Sequence, residues 1–149
     1  MSVLPSLPAL QTLASTIFND VSYGVVTAWV NNPDASNSSV DANARYTDFV
    51  NFLNSKKNAA PSNAAILVAL DDGTVMYDNG GTINGYVDKN INENHNTRPE
   101  ILNAVLSASG TGYSRRYSST KRAIRQYYAV RIGLSPQGNV ATLRVALQE

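Results

Sequence analysis

The stretch that decides the fold is residues 92–120, which read NENHNTRPEILNAVLSASGTGYSRRYSST. It contains the only histidine of the chain, His95, followed by a short segment with helical periodicity, a glycine pair and a run rich in arginine and tyrosine. Gly110 can end a helix in the left-handed conformation, and the alternating side chains after it are typical of a strand. The stretch therefore predicts a short helix that leads directly into a β-strand.

The start of this short helix is predicted from its first turn. Residues Thr97–Glu100 match the capping-box pattern, in which each end residue of the motif accepts a hydrogen bond from the backbone N–H of the other. Apolar side chains then mark one face of the helix, namely Ile101, Leu102, Val105 and Leu106. This pattern assigns the carboxylate of Glu100 to capping of the helix.

Apolar and turn-forming segments on both sides of this stretch predict a sheet. One upstream segment is apolar at every position, as expected of a strand covered on both faces, and Asp71-Asp72-Gly73 supplies the turn after it. Downstream, Ser135–Gly138 is a turn between two further strands. The predicted strands are Ala64–Leu70, Thr74–Asp78, Tyr113–Ser118, Ala123–Ile132 and Val140–Leu147.

Helical periodicity dominates the N-terminal part of the chain. Apolar residues recur at steps of three and four from Leu7 to Trp29, which predicts one long helix capped by Ser6. A second helix is predicted from about Val40 to Lys57. The simplest packing is an α+β fold, a five-stranded antiparallel sheet with the long helices on one face and residues 79–112 as a cover on the other. We predict a single domain over residues 1–149, with helices in 1–58 and the sheet core in 64–147.

Composition excludes several classes of function. The net charge of +1 offers no large field to nucleic acid, so no nucleic-acid partner is expected. The absence of cysteine excludes disulfides, cysteine catalysis and cysteine-based zinc sites. No segment approaches the roughly 20 apolar residues of a membrane span. We therefore expect either a soluble protein or a receptor domain separated from its membrane anchors.

Five motifs in a fixed order resemble a known family. They are Asp72–Asp78, Asn94–Ile101, Ser114–Thr120, Tyr127–Val130 and Leu143–Ala146. Together they resemble the extracytoplasmic PAS-like, single-Cache sensor domain of bacterial histidine kinases, especially of the phosphate-responsive type. The resemblance implies a non-catalytic sensory or ligand-binding module of a signal-transduction receptor, extracytoplasmic if the chain is an excised receptor domain.

A candidate ligand site is predicted from the sheet. Tyr113, Arg115 and Tyr117 share one face of their strand, and Arg125 and Tyr127 share one face of the next. Guanidinium groups bind carboxylate or phosphate in bidentate fashion, and tyrosine hydroxyls add directional hydrogen bonds. We therefore predict that both sets line one side of the sheet and bind a small anionic ligand. The alternative is a solvated face with cross-strand stacking of tyrosine on arginine.

Two residues of the cover complete the predicted site. His95 and Arg98 are candidate ligand contacts, and the structural alternatives are an anchoring hydrogen bond for His95 and a pairing of Arg98 with Asp72 or Asp78. A lone histidine without a nucleophile motif specifies no catalysis, so we predict no enzyme, no metal and no cofactor. A hydrolase that uses His95 is a distant alternative.

Two hypotheses about partners remain open at this point. The apolar stripe of the N-terminal helix can form a homodimer interface, because it can exceed what one sheet face buries. A protein-interaction or dimerisation module with the same fold and no ligand is the alternative to a sensor. Membrane attachment is expected only through anchors absent from this chain.

Overall fold

The structure, a computed structural model, describes residues 5–32, 40–71, 75–78, 98–118, 122–134, 138 and 140–149. Its elements are α1 Leu7–Phe18, α2 Gly24–Asn31, α3 Val40–Ala59, β1 Ala65–Leu70, β2 Val75–Asp78, α4 Pro99–Leu106, β3 Thr111–Ser118, β4 Ala123–Leu134 and β5 Val140–Gln148. These elements follow the predicted order, except that the first predicted helix is divided in two.

The strands form one antiparallel five-stranded sheet in the order β2-β1-β5-β4-β3. The last strand, β5, lies in the centre and pairs with β1 and β4. Every residue of β5 from Ala141 to Leu147 is buried, as expected of a strand covered on both faces. The predicted α+β architecture is confirmed.

The first three helices cover one face of the sheet and enclose the larger core. Trp29 and Phe49 are its largest fully buried side chains, and their ring centroids lie 6.2 Å apart. Alternate residues of the central strands, such as Val68 of β1 and Leu143 of β5, point into this core. The face that carries these residues is called the helix face below.

The prediction of one long N-terminal helix is wrong. Helix α1 ends at Phe18, and the next residues form a turn in which Asp20 Oδ1 accepts from the N–H of Ser22 at 2.8 Å. Such a side-chain bond to the backbone two residues on competes with helical pairing. Asp20 also forms an ion pair with Lys56 at 2.5 Å, which fixes the turn against α3. The apolar periodicity continues through the break, because both helices cover the same core.

Helix α4 packs on the opposite face against β3, β4 and β5, and this face is called the α4 face below. A Cβ at position 112 would overlap the carbonyl oxygen of Glu100 and lie 2.8 Å from Cβ of Asn103. Glycine at 112 therefore allows the backbones of helix and strand to touch. Residues 79–97, which belong to the predicted cover, lie outside the described residues.

The predicted caps of the short helix are also wrong. The N-cap residue is Arg98, without a capping side-chain hydrogen bond, so Glu100 is in the second helical position and not in the third, which a capping box requires. The helix ends before Ser107, and Gly110, at φ +70°, lies beyond that end. The carbonyl of Gly110 accepts from the N–H of Arg131 at 2.8 Å, so this glycine shapes the entry into β3.

Candidate anion-binding site on the α4 face

Three neighbouring strands each contribute one arginine to the same region of the α4 face. Arg116 of β3 is the direct cross-strand partner of Arg125 of β4, and Arg144 of β5 is opposite Ala129 of β4. Directly opposite residues of an antiparallel pair point to the same face. The three guanidinium groups therefore converge on one region of the sheet, which we call the arginine cluster.

The ring of Tyr127 lies at the centre of the arginine cluster. The guanidinium carbon is 3.9 Å from the ring centroid for Arg116, 4.8 Å for Arg144 and 5.9 Å for Arg125. Each distance is within the range of a cation–π interaction, which strengthens when the partners are removed from water. Tyr127 is buried, and so are Arg125 and Arg144. The aromatic ring thus separates and stabilises like charges that would otherwise repel.

One carboxylate, that of Glu100 in the first turn of α4, reaches into the arginine cluster. Its Oε1 accepts from Arg116 Nη2 at 2.7 Å and from Arg144 Nη1 at 3.3 Å, and its Oε2 accepts from Ser114 Oγ at 2.7 Å. Glu100 is fully buried. Burial raises the pKa of this carboxyl, but Arg144, Arg116 and Ser114 outweigh burial and hold the pKa below its usual value. Glu100 is therefore ionised at neutral pH.

The positive charge of the arginine cluster exceeds this single carboxylate. Arg125 donates from Nη2 to the carbonyl oxygen of Asn63 at 3.0 Å, a neutral acceptor. The buried Nε atoms of Arg116 and Arg125 have no acceptor among the described residues. Burial lowers the pKa of Arg125, Tyr127 opposes that shift, and Arg116 adds to it. The site therefore combines two buried donors with positive charge that the described protein groups only partly neutralise.

The prediction that two tyrosine-and-arginine sets line one face of the sheet is wrong. The register pairs Arg116 with Arg125 and Ser114 with Tyr127, so the even-numbered residues of β3 share the α4 face with these two residues. Tyr113, Arg115 and Tyr117 point to the helix face. A shift of one residue in register exchanges the two faces of a strand.

Arg115 and Tyr113, on the helix side of β3, have side-chain partners on that side of the sheet. Arg115 forms a bidentate ion pair with Glu149, with Nη2 to Oε1 at 2.7 Å. The hydroxyl of Tyr113 donates to Gln126 Oε1 at 3.0 Å, and Tyr117 is exposed. The register, in which Tyr113, Arg115 and Tyr117 are opposite even-numbered residues of β4, places all three on the side of the sheet away from Arg125 and Tyr127.

Of the two site residues predicted in the cover, the structure describes Arg98 but not His95. Arg98 is half-buried and is the N-cap residue of α4, two positions before Glu100. His95, Asp72 and Thr97 lie outside the described residues. A ligand contact by Arg98 or His95 therefore stays a prediction.

Sequence reasoning missed Arg116, Arg144, Glu100 and Ser114 as site residues. Arg144 carried a usable signal, because a charged residue inside the apolar run of Val140–Leu147 is buried and needs a partner. Glu100 carried no such signal, since its place after Thr97 matched a capping box.

A groove of about 350 Å³ lies on the helix face between α1 and the end of α3. Its lining is mostly small and apolar, with the hydroxyls of Thr12 and Thr16 and the ammonium group of Lys56. No residue of the arginine cluster lines it. Within the described part of the chain, no three potential metal-ligating side chains come together.

Comparison with solved structures relates this fold to sensory domains. Three structures of the Campylobacter jejuni chemoreceptor Tlp3 are similar to 93% of this chain at 14% sequence identity. They are a ligand-binding domain in complex with L-valine, a sensory domain with isoleucine bound and a ligand-binding domain in complex with 4-methylisoleucine. Their TM-scores are 0.52, 0.53 and 0.53. This chain spans just over half of their length, 55–56%.

At this identity the likeness establishes the fold. It confirms the predicted PAS-like, Cache-type architecture. No protein-family model matches the sequence, and no curated protein matches it either. None of the helices within the described residues is both long and apolar enough to cross a membrane.

Proposed function

We propose that the chain is a sensory ligand-binding module that binds a small anion on the α4 face of its sheet. Arg116 and Arg125 hold the anion beside the ring of Tyr127, and Glu100 links this site to helix α4. Binding then biases the position of α4 through different affinities for two arrangements of the helix. The proposal contains no catalytic step.

One observation carries this proposal: Arg116 and Arg125 are directly opposite, and the buried Nε atom of each has no acceptor among the described residues. Like charges directly opposite each other destabilise an antiparallel pair, and a buried donor without an acceptor costs stability. A bound carboxylate would remove both costs by accepting from the two Nε–H groups. The ring of Tyr127 offers the apolar part of the same ligand a surface.

The class of ligand follows from the donors. Guanidinium Nε–H groups suit the oxygens of a carboxylate or phosphate. The neighbours named above are bound to L-valine, isoleucine or 4-methylisoleucine, all of which carry a carboxylate. We therefore propose a small carboxylate as the ligand, with amino acids and simple carboxylic acids as the first compounds to test. Phosphate, which the sequence resemblance suggests, is the competing anion.

The proposal extends to the setting of the module. The whole chain from residue 1 to residue 149 acts as one extracytoplasmic receptor domain, and a histidine kinase is the host that the sequence motifs favour. A homodimer through α1 is the proposed assembly, and sedimentation analysis over a range of concentrations tests it. A monomer at every concentration would remove the dimer from the proposal and leave the ligand site in place.

A thermal-shift screen tests the ligand site. Wild-type protein is heated with propionate, L-valine, succinate and phosphate at matched ionic strength, because a bound ligand raises the melting temperature as RT ln(1 + [L]/Kd). At least one carboxylate is expected to raise the melting temperature, and Arg125→Met is expected to abolish that rise. Arg115→Met is the matched control on the helix face and should retain it.

The outcomes separate this proposal from its rival. If the ligand binds on the helix face, the rise in melting temperature is lost in Arg115→Met and kept in Arg125→Met. That outcome would contradict the proposed site. The rival is an interaction module, which the exposed side chains of Leu102 and Leu106, one turn apart on α4, favour. That function predicts no response to any anion, and association that Leu106→Ser weakens.

A further inference from the structure

We infer that Glu100 selects the charge of the ligand, so that the arginine cluster binds monocarboxylates and discriminates against dianions. The inference rests on the proposed function and adds a specificity-determining residue to it. Glu100 is not expected to touch the ligand. Its buried carboxylate neutralises part of the positive charge of the site whether or not a ligand is bound.

The charges around the arginine cluster support a single negative charge on the ligand. Three guanidinium groups converge on Tyr127. Glu100 neutralises one charge through Arg116 and Arg144. Asp78 of β2, on the same face, attracts Arg125 and Arg144 from a longer range. Counted over the described residues, these three guanidinium groups and two carboxylates leave one positive charge for the ligand to neutralise.

The hydrogen bonds lead to the same conclusion. One oxygen of Glu100 accepts hydrogen bonds from Nη2 of Arg116 and Nη1 of Arg144, and the other oxygen accepts from Oγ of Ser114. The Nε donors of Arg116 and Arg125 have no acceptor in the part of the chain that the structure describes, and they belong to directly opposite residues, whose Cα atoms are about 5 Å apart in such a pair. Two donors on adjacent strands match the two oxygens of one carboxylate group.

A second negative charge on the ligand would meet repulsion from Glu100. Both groups would share Arg116 as a partner, and Glu100 is fully buried, so water screens the repulsion poorly. Apposed like charges in a desolvated site weaken binding substantially. We expect the wild-type protein to bind propionate at least about tenfold more tightly than succinate or sulfate.

Titration calorimetry at constant ionic strength tests this inference with propionate, succinate and sulfate as probes. Glu100→Gln keeps the shape of the side chain and its acceptor oxygen while it removes the charge. We expect this variant to lose the preference for propionate, with the ratio of dissociation constants shifting by about tenfold or more toward the dianions. Asp20→Asn is the matched control, because it removes a carboxylate that pairs with Lys56 outside the arginine cluster, and it should keep the wild-type ratio.

Asp78→Asn gives a second test that does not depend on a buried side chain, because Asp78 is only half-buried at the end of β2. We expect a smaller shift of the ratio in the same direction. This variant decides the question if Glu100→Gln does not fold. An unchanged ratio in every variant that folds, or a wild-type preference for dianions, overturns the inference and leaves the proposed function standing. The absence of binding by all three probes and by L-valine overturns the proposed function itself, and the inference with it.

Discussion

The two faces of the central sheet use adjacent residues of the same strands for different purposes. In β4 and β5, Tyr128 and Val145 pack into the core on the helix face. Their neighbours in sequence, Tyr127 and Arg144, lie on the α4 face, where the guanidinium group of Arg144 contacts the ring of Tyr127 and donates to Glu100. The helix face buries large apolar side chains under α1, α2 and α3, whereas the α4 face holds a charged cluster next to the short helix α4.

This difference separates stability from function within one sheet. Apolar burial on the helix face is the main source of folding free energy. The charged cluster contributes less, because removing ions from water offsets most of the attraction between them. Changes on the helix face should therefore alter stability, and changes on the α4 face should alter the response to anions.

The largest expected effect is on the helix face, in Trp29→Ala. Trp29 is fully buried and packs against Phe49 and Tyr46. Truncation of such a side chain leaves a cavity, so we expect a loss of about 3–5 kcal/mol in the free energy of unfolding. Urea unfolding followed by circular dichroism measures this loss. A loss under about 1 kcal/mol would contradict the assignment of the core to this face.

The next effect is on the contact between α4 and β3, in Gly112→Ala. The added Cβ would overlap the backbone of Glu100, so the helix must move away from the strand. Overpacking of this kind costs about 1–3 kcal/mol, and displacement of Glu100 should also remove the preference for monocarboxylates. Gly24→Ala is the control, since its added Cβ meets nothing within 4 Å. Equal stability of both variants would contradict the close packing of α4.

Acid should weaken the fold partly through Glu100. Its pKa is lower in the folded state than in the unfolded chain, so the unfolded state binds more protons as the pH falls. The stabilisation is present above the unfolded value of about 4.5 and is lost as the pH falls through the lower, folded pKa.

A comparison of two proteins isolates this contribution. Asp20 and Glu149 also have lowered pKa values and act with the same sign, but Glu100→Gln leaves both unchanged. Urea unfolding at pH 7 and at pH 3 should show a smaller loss of stability in Glu100→Gln than in the wild type. Equal losses would mean that Glu100 is not ionised in the folded protein.

The smallest effect on stability is expected for Arg125→Met. Arg125 is a buried cation with an Nε that has no acceptor among the described residues, and methionine keeps the apolar stem. Replacement of a buried charge by an apolar group of similar size is often neutral or stabilising. We expect the free energy of unfolding to change by less than about 1 kcal/mol, as measured by urea unfolding. A loss above about 3 kcal/mol would indicate that Arg125 is structural.

Most of the fold was predictable from the sequence, because each strand and helix has its own apolar pattern. The strands Ala65–Leu70 and Val140–Gln148 match their predicted ranges within about one residue. The break between α1 and α2 was not predictable from apolar periodicity, since both helices face one core. It depends on the turn at Asp20 and its pairing with Lys56, a contact between distant parts of the chain.

The site was predictable only in its residue types. Arginine and tyrosine in two adjacent strands indicated anion binding, and Arg125 and Tyr127 do lie in the arginine cluster. The choice between Arg115 and Arg116 depended on the register of β3 with β4, which no alternation within one strand can fix. The role of Glu100 depended on the close approach that Gly112 allows, a packing effect between distant backbone atoms.

Nuclear magnetic resonance of the arginine Nε–H groups tests the central claim most directly. The signals of Arg116 and Arg125 are assigned with Arg116→Lys and Arg125→Lys, and propionate is then titrated into the wild-type protein. We expect both signals to shift together and to saturate, because the two Nε–H groups donate to the same carboxylate, while the signal of Arg115 stays in place. Fixed signals for Arg116 and Arg125 in the presence of bound propionate, or a shift confined to Arg115, would contradict the account.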